Sequence, residues 1–264
     1  MSAFSRFYKA RLPGAVTEAF VWLQLHVGPS RFYRHRAAVL RALQGPRAVM
    51  GGPFHGMVYA RHSADKALLP RLLGTYECEL HAAVEDLCTR RPDRIAIAGA
   101  AEGYYAVGLA RRLPAATVFA YDGLRWARHL LGQMAARNHL ADRVRIGGLV
   151  TPAELERVLQ PAARPALVSD VEGYEITLVD PVAVPALRRA TILLELHENF
   201  VPGVTAEMYR RFQATHAIAK IDDRPRTLSD LPAGISLPAS EALWAMNEAQ
   251  FRGVRQSWLY LTPR

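Results

Sequence analysis

The chain has 264 residues, of which 50% are hydrophobic, and carries a formal charge of +9 with a pI near 9.9. That is enough apolar material for one large core and excludes a disordered chain, while no apolar run reaches the ~18 residues of a membrane-spanning helix. Cys78 and Cys88 are too few for a disulfide framework or a zinc cluster. The opening segment, residues 1–9, lacks the uninterrupted apolar stretch of a secretory signal, so a cytoplasmic location is expected. The positive charge is mostly arginine, spread from Arg6 to Arg264 without a lysine run or an RNA-recognition signature. It predicts a solvated basic surface, with neither a nucleic acid nor a membrane as partner.

In chain order, residues 1–50 read as a helical extension. Residues 15–26 are apolar nearly all round. Gly28-Pro29-Ser30 divides them from a second stretch in which Phe32, Val39, Leu40 and Leu43 recur at helical spacing, with Ser30 suited to an N-cap. Such a unit cannot bury its apolar surface alone, so it is expected to pack on the main domain, to cover a site or to form a homodimer. Residues 51–57 are a turn-rich connector, and 68–88 then show the spacing of one long helix. From residue 94 the pattern alternates, with strands at 94–98, 117–121, 143–146, 166–169 and 191–196 and helices near 103–112, 124–138, 152–159, 180–188 and 205–214. Helices between short β-branched runs imply parallel strands joined by right-handed crossovers. A strand at 216–222, a Pro/Asp-rich loop, a helix at 240–251 and a strand at 256–262 complete a seven-stranded, doubly wound α/β sheet over residues 51–264.

The first strand runs into Gly99-Ala-Ala-Glu-Gly103, and the second ends at Asp122. Glycines here let the backbone approach a ligand where a Cβ would collide, and the following helix offers unpaired N–H groups at its start. Asp122 falls about 20 residues on, where an acidic side chain grips a ribose hydroxyl pair. The glycine spacing is not the GxGxxG of dinucleotide folds, and no GxxxxGK[ST] loop exists to wrap phosphates. A nucleoside without phosphates is the expected ligand.

The segment Ala98-Gly-Ala-Ala-Glu-Gly-Tyr-Tyr-Ala-Val-Gly-Leu-Ala110, the pair Tyr121-Asp122 and the segment Ser169-Asp-Val-Glu-Gly-Tyr-Glu175 occur in that order. Together they resemble class I S-adenosylmethionine (SAM) methyltransferases. The last is similar to the DVEGYE signature of FkbM-type enzymes, mostly O-methyltransferases. The resemblance covers roughly residues 50–264. It implies a Rossmann-like methyltransferase sheet with an antiparallel seventh strand, SAM as cofactor, and methyl transfer to oxygen or nitrogen of a small-molecule substrate in natural-product biosynthesis. Two other readings stay open. One is attack on a different carbon of the sulfonium, transferring or cyclising the aminocarboxypropyl group with release of methylthioadenosine. The other is a catalytically silent SAM-fold subunit that binds a partner through its N-terminal helices. One departure stands out, because relatives carry an acidic residue two positions before the first glycine and this chain has Ile97. Glu102 is the substitute at hand.

Ligands of doubly wound sheets lie beyond the carboxyl ends of the strands, where the strand order reverses. The cofactor residues expected there are Tyr76, Gly99, Ala100, Glu102, Gly103, Asp122, Gly148, Leu149, Asp170 and Val171. Glu102 would face the cofactor's ammonium or cap a helix, and Asp122 would hold the ribose or cap the helix that follows it. Gly148 and Leu149 would take adenine through backbone and apolar contacts, since the acidic residue common at that place is absent. Tyr76, with Glu77, resembles a segment preceding the fold in relatives and would meet the cofactor carboxylate. Glu172 and Tyr174 are expected at the substrate. Alternation sends Glu195 and His197 to one side of the fifth strand. His197, Asp170 and Glu195 are therefore the expected catalytic group, with His197 as a base aligned by a carboxylate and also in contact with substrate. Asp170, Glu195 and His197 carry donors that a metal accepts, yet they leave separate strand ends and no metal is expected.

Overall fold

The computed structural model describes residue 16 and residues 31–45, 48–60, 63, 66–248 and 256–264. Apart from Val16, the helix expected over 15–26, together with Ser30, lies outside the described residues. The second expected helix is α1, Arg31–Ala42, whose Val39 packs with Leu43, Leu69, Leu73, Ala245 and Met246.

The stretch 68–88 is not one helix. It forms α2, Leu68–Leu73, a 3₁₀ turn at Cys78–Leu80, and α3, His81–Thr89. Gly74 ends α2 in the left-handed conformation, and a Cβ there would sit 2.0 Å from the carbonyl oxygen of Gly51. The connector therefore crosses the chain at a point that only glycine can occupy.

The strands are β1 Arg94–Ala98, β2 Thr117–Tyr121, β3 Val144–Gly147, β4 Pro165–Ser169, β5 Thr191–Leu196, β6 His216–Asp222 and β7 Ser257–Pro263. Between them run α4 Tyr104–Arg112, α5 Arg125–Arg137, α6 Pro152–Leu159, α7 Glu175–Leu178, α8 Val204–Phe212 and α9 Ala239–Met246. The helix expected over 180–188 is absent. Its place is taken by a 3₁₀ turn at Pro185–Arg189, because Pro185, in the middle of the stretch, lacks the N–H that a continuous helix needs and crowds the Pro181 carbonyl. In α6, the Thr151 hydroxyl accepts from the Glu154 N–H, and Pro152 occupies the first turn, where its missing donor costs nothing.

The sheet order is β3-β2-β1-β4-β5-β7-β6. Strands β1 to β5 pair in parallel, and β7 runs antiparallel to both β5 and β6. This is the doubly wound, seven-stranded Rossmann-like sheet expected above, with its reversed seventh strand. β4 and β5 are buried at every position, as parallel strands covered on both faces must be, whereas the edge strand β6 is mostly open to solvent. Alternation divides the core. Ile95, Ile97 and Val168 face α3, α4 and α5, while Ala96, Leu167 and Leu194 face α6 and α8.

The ends of β1 and β4 meet so closely that a Cβ on Gly99, at φ +79°, would lie 1.6 Å from the carbonyl oxygen of Asp170. Gly99→Ala is therefore expected to lower the unfolding free energy by roughly 3 kcal/mol or more, read as a fall in the denaturant midpoint. An unchanged midpoint would show that the two loops separate freely.

Candidate functional site

Register assembles the site. Ala98 pairs with Tyr121 on one side and Ser169 on the other, so Gly99, Asp122 and Asp170 leave their strands at one level. Ser169 in turn pairs with Leu194, which brings Glu195 alongside Asp170. β1 lies between β2 and β4, so this crest is the topological switch point.

A cleft of about 400 Å³ opens on the crest. Its walls include Tyr76, Gly99, Asp122, Gly148, Leu149, Asp170, Val171, Glu172 and Tyr174. A second, inner cavity of about 40 Å³ lies below, against Ala100, Ile97, Tyr104, Tyr105, Leu193, Glu195 and Trp258. Arg71, Tyr76, Gly99, Ala101 and Asp170 line both. Left-handed backbone marks the same walls, at Glu77 (φ 47°), Ala101 (φ 45°) and Glu172 (φ 51°), residue types that pay for that conformation.

Asp122 lines the cleft and also holds the backbone at the start of the helix that follows it. Its Oδ2 accepts from the Ala101 N–H at 2.8 Å and its Oδ1 from the Leu124 N–H at 2.7 Å, which ties the β1 loop to the start of α5. Each oxygen keeps a second lone pair toward the cleft. Burial pushes its carboxyl above the usual range, against the opposing pull of the Leu124 and Ala101 N–H groups.

Three residues expected at the ligand, Glu102, Gly103 and His197, line neither cavity. Glu102 is fully buried and lines neither cavity. Its Oε1 accepts from the Tyr59 hydroxyl at 2.8 Å, from the Ser63 hydroxyl, and from Arg71 at 2.6 Å. It anchors Arg71, which it holds at the wall common to both cavities. Gly103, at φ +102°, lines neither cavity as well. A Cβ there would lie 2.4 Å from Leu131 Cδ1, so the glycine serves the packing of α4 on α5.

His197 lies just past β5 with its side chain 3% exposed. Its Nδ1 meets Glu175 Oε1 at 2.5 Å, and Glu175, fully buried in α7, also accepts the Gly173 N–H. Nε2 faces Asp170 Oδ1 at 3.5 Å, Glu172 Oε2 at 3.8 Å and Glu195 Oε1 at 3.9 Å. The carboxylate that aligns the ring is thus Glu175, the last residue of the DVEGYE segment, and not Glu195. Burial alone would depress the His197 pKa. The Glu175 hydrogen bond and the charges of Asp170, Glu175 and Glu172 outweigh it and hold the pKa above the ordinary histidine value.

Arg71 and Glu77 are site residues beyond the sequence expectation. Arg71 sits in α2, where every residue is buried, and its guanidinium lies 4.3 Å from the centre of the Tyr76 ring. The signal was a lone cation within Leu68-Leu-Pro-Arg-Leu-Leu73, which must find an anion to be buried. Glu77 opens on the inner cavity and accepts from the Tyr105 hydroxyl at 2.6 Å.

No family model matches the chain, and no curated protein matches it. Solved structures are similar at low identity. The O-methyltransferase TomG from Streptomyces achromogenes, involved in tomaymycin synthesis and solved with SAM, shares 14% identity over 92% of this chain and 95% of its own, with a TM-score of 0.41. A human methyltransferase 10 domain containing protein shares 12% over 87% and 96%, at 0.45. A precorrin 8W decarboxylase from Methanobacterium thermoautotrophicum shares 15% over 68% and 88%, at 0.43. At these scores the likeness says nothing of activity. Among the described residues, no helix is long and apolar enough to cross a membrane.

Glu102→Ala strips a buried guanidinium of its carboxylate, so stability is expected to fall by about 3 kcal/mol. Equilibrium denaturation measures it, and a loss under ~1 kcal/mol would mean that Arg71 finds another anion or reaches solvent.

Proposed function

We propose that the chain is a SAM-dependent transferase of the FkbM-like branch that moves a methyl group to oxygen or nitrogen of a small metabolite. Residues 51–264 would form the catalytic domain and residues 1–50 a helical extension against it. The observation that carries this reading is the convergence of Gly99, Asp122 and Asp170 at one level of the switch point, around a cleft walled by the DVEGYE segment. A nucleoside fits such a crest, and no phosphate-wrapping loop accompanies it.

In this reading Asp122 accepts from the ribose hydroxyls, and adenine lies against Gly148 and Leu149. The amino-acid end of SAM is a zwitterion, and the wall it reaches carries opposite charges in Arg71 and Glu77. The sulfonium then rests near Asp170 and the Tyr174 ring. The protein aligns the acceptor atom, the methyl carbon and sulfur in one line, and proximity supplies much of the acceleration. A bond from acceptor to carbon forms as the carbon–sulfur bond breaks, leaving the neutral thioether of S-adenosylhomocysteine. The acceptor's proton passes to the acidic group around His197.

Asp122→Ala is expected to weaken SAM binding about 10- to 100-fold, roughly 1.5–3 kcal/mol, in calorimetry. Undiminished affinity would remove the ribose assignment. Affinity is also expected to vary with pH. Ionised Asp122 accepts two hydroxyls and the protonated form accepts fewer, so binding weakens as pH falls through the carboxyl's raised pKa, starting above the range of an ordinary aspartate. Asp122→Asn has no such group to titrate and should bind equally across that window; a slope matching the native protein's would place the titration elsewhere.

A further inference from the structure

We propose that Asp170, Glu172 and His197 form a site for one divalent transition-metal ion on the acceptor side of the cleft. The three residues leave two neighbouring strands, β4 and β5, and one donor atom from each lies within 4.8 Å of the others. Nε2 of His197 is 3.5 Å from Asp170 Oδ1 and 3.8 Å from Glu172 Oε2. Ligands of a single ion at about 2.1–2.3 Å stand roughly 3–4.5 Å from one another, so the spacing is that of a coordination shell.

The histidine gives an independent reason. Its side chain is 97% buried in the sense that only 3% is exposed, yet Nε2 forms no hydrogen bond and aims into the carboxylates. Nδ1 is committed to Glu175, itself fully buried. A carboxylate fixing the far nitrogen is the arrangement that orients metal-bound imidazoles and raises their basicity. Four carboxylates lie within 4 Å of this one ring, counting Glu175 and Glu195. One proton on the imidazole offsets a single charge, whereas a divalent ion offsets two and uses the lone pair on Nε2.

The donor set also narrows the ion. Two carboxylates with one imidazole suit Mn²⁺, Co²⁺ or Zn²⁺ better than Mg²⁺ or Ca²⁺, which prefer an all-oxygen shell. Exposure rises from His197 at 3% to Asp170 at 43% and Glu172 at 72%. The ion is thus held from beneath and open toward the cleft, where water or an acceptor oxygen completes the shell. The ion's part in the reaction rests on the function proposed above. An acceptor hydroxyl on it would lose its proton more readily, to Glu195, the carboxylate 3.9 Å from Nε2 that stands outside the ligand set, and as its oxygen bonds to the methyl carbon the carbon–sulfur electron pair would return to sulfur.

The test uses full-length protein freed of metal by chelator, Mn²⁺ alone as probe, and electron paramagnetic resonance of the unbound ion. One Mn²⁺ per chain is expected, with affinity reduced about tenfold or more in Glu172→Gln and His197→Gln and unchanged in Asp142→Asn, an exposed carboxylate elsewhere. Glu172 is exposed enough that its variant should fold, so it decides the matter even if the histidine variant does not. Absence of binding at millimolar Mn²⁺, or equal affinity in Glu172→Gln and the native chain, overturns the site. SAM calorimetry on the same metal-free preparation keeps the two readings apart. Loss of Mn²⁺ binding with SAM binding intact sinks only the metal site, and the converse sinks only the cofactor assignment.

Discussion

The crest of the sheet depends on one close approach, that of Gly99 to the carbonyl of Asp170. The paired ends of β1 and β4 set it, because Ala98 and Ser169 are partners and Asp170 N–H returns to the Ala98 carbonyl at 2.9 Å. The β1 loop is fastened on its other side as well. Gly99 and Ala100 both donate to the Tyr121 carbonyl, and Ala101 donates to Asp122. Three strand ends are thereby locked together before any ligand arrives, and the cleft floor is pre-organised. Binding then need not order the loops, a cost that flexible sites meet from their affinity.

Buried charge fixes the cover over that floor. Arg71 joins α2 to Glu102 in the β1 loop, with side-chain exposures of 4% and 0%. Arg226 lies between Glu79 and Glu248 at 2.6 and 2.7 Å, with the three side chains only 5–7% exposed, and Glu248 also accepts the Glu77 N–H. Buried pairs of this kind add little net stability over apolar packing, but a misplaced partner leaves an unpaired charge in the interior. They therefore specify position. The inner cavity lies beneath the segment that these pairs hold, which is how Tyr76 and Glu77 come to face Ile97. The arginine-rich composition also finds structural use here and in surface pairs such as Arg112 with Glu85 and Arg211 with Glu207.

Much of this was legible in the sequence, where the information is local. Parallel strands are short apolar runs with sharp ends, so β1, β2, β5 and β6 fall where the pattern put them, and the crest residues follow from those ends. Two helices were misread for reasons of different range. The 180–188 stretch carries its own breaker in Pro185. The 68–88 stretch is broken at Gly74 by a connector more than 20 positions upstream in the chain, which periodicity cannot register. The site errors are of the second kind. Glu102 stands in the right loop, but its direction is decided by Tyr59, Ser63 and Arg71. Alternation correctly grouped Glu195 with His197, while the partner that orients the imidazole came from α7, across the sheet order, where no spacing rule applies.

The two poles of the cleft differ in charge, and the difference bears on the chemistry. At the pole proposed for the nucleoside one carboxylate, Asp122, is partly neutralised by the N–H groups it accepts. At the other pole four carboxylates surround His197. In the proposed methyl transfer a sulfonium cation becomes a neutral thioether, so bare carboxylates beside sulfur would stabilise the reactant more than the transition state and slow the step. An acidic pole therefore helps only if its charge is engaged elsewhere. Glu175 is engaged by His197 Nδ1. In the proposed metal site, Asp170 and Glu172 are engaged by an ion that draws electron density from the acceptor and leaves the sulfonium without a strong counter-charge. The same carboxylates that would hinder transfer as a naked cluster would then serve it, because the ion takes up their charge and polarises the nucleophile.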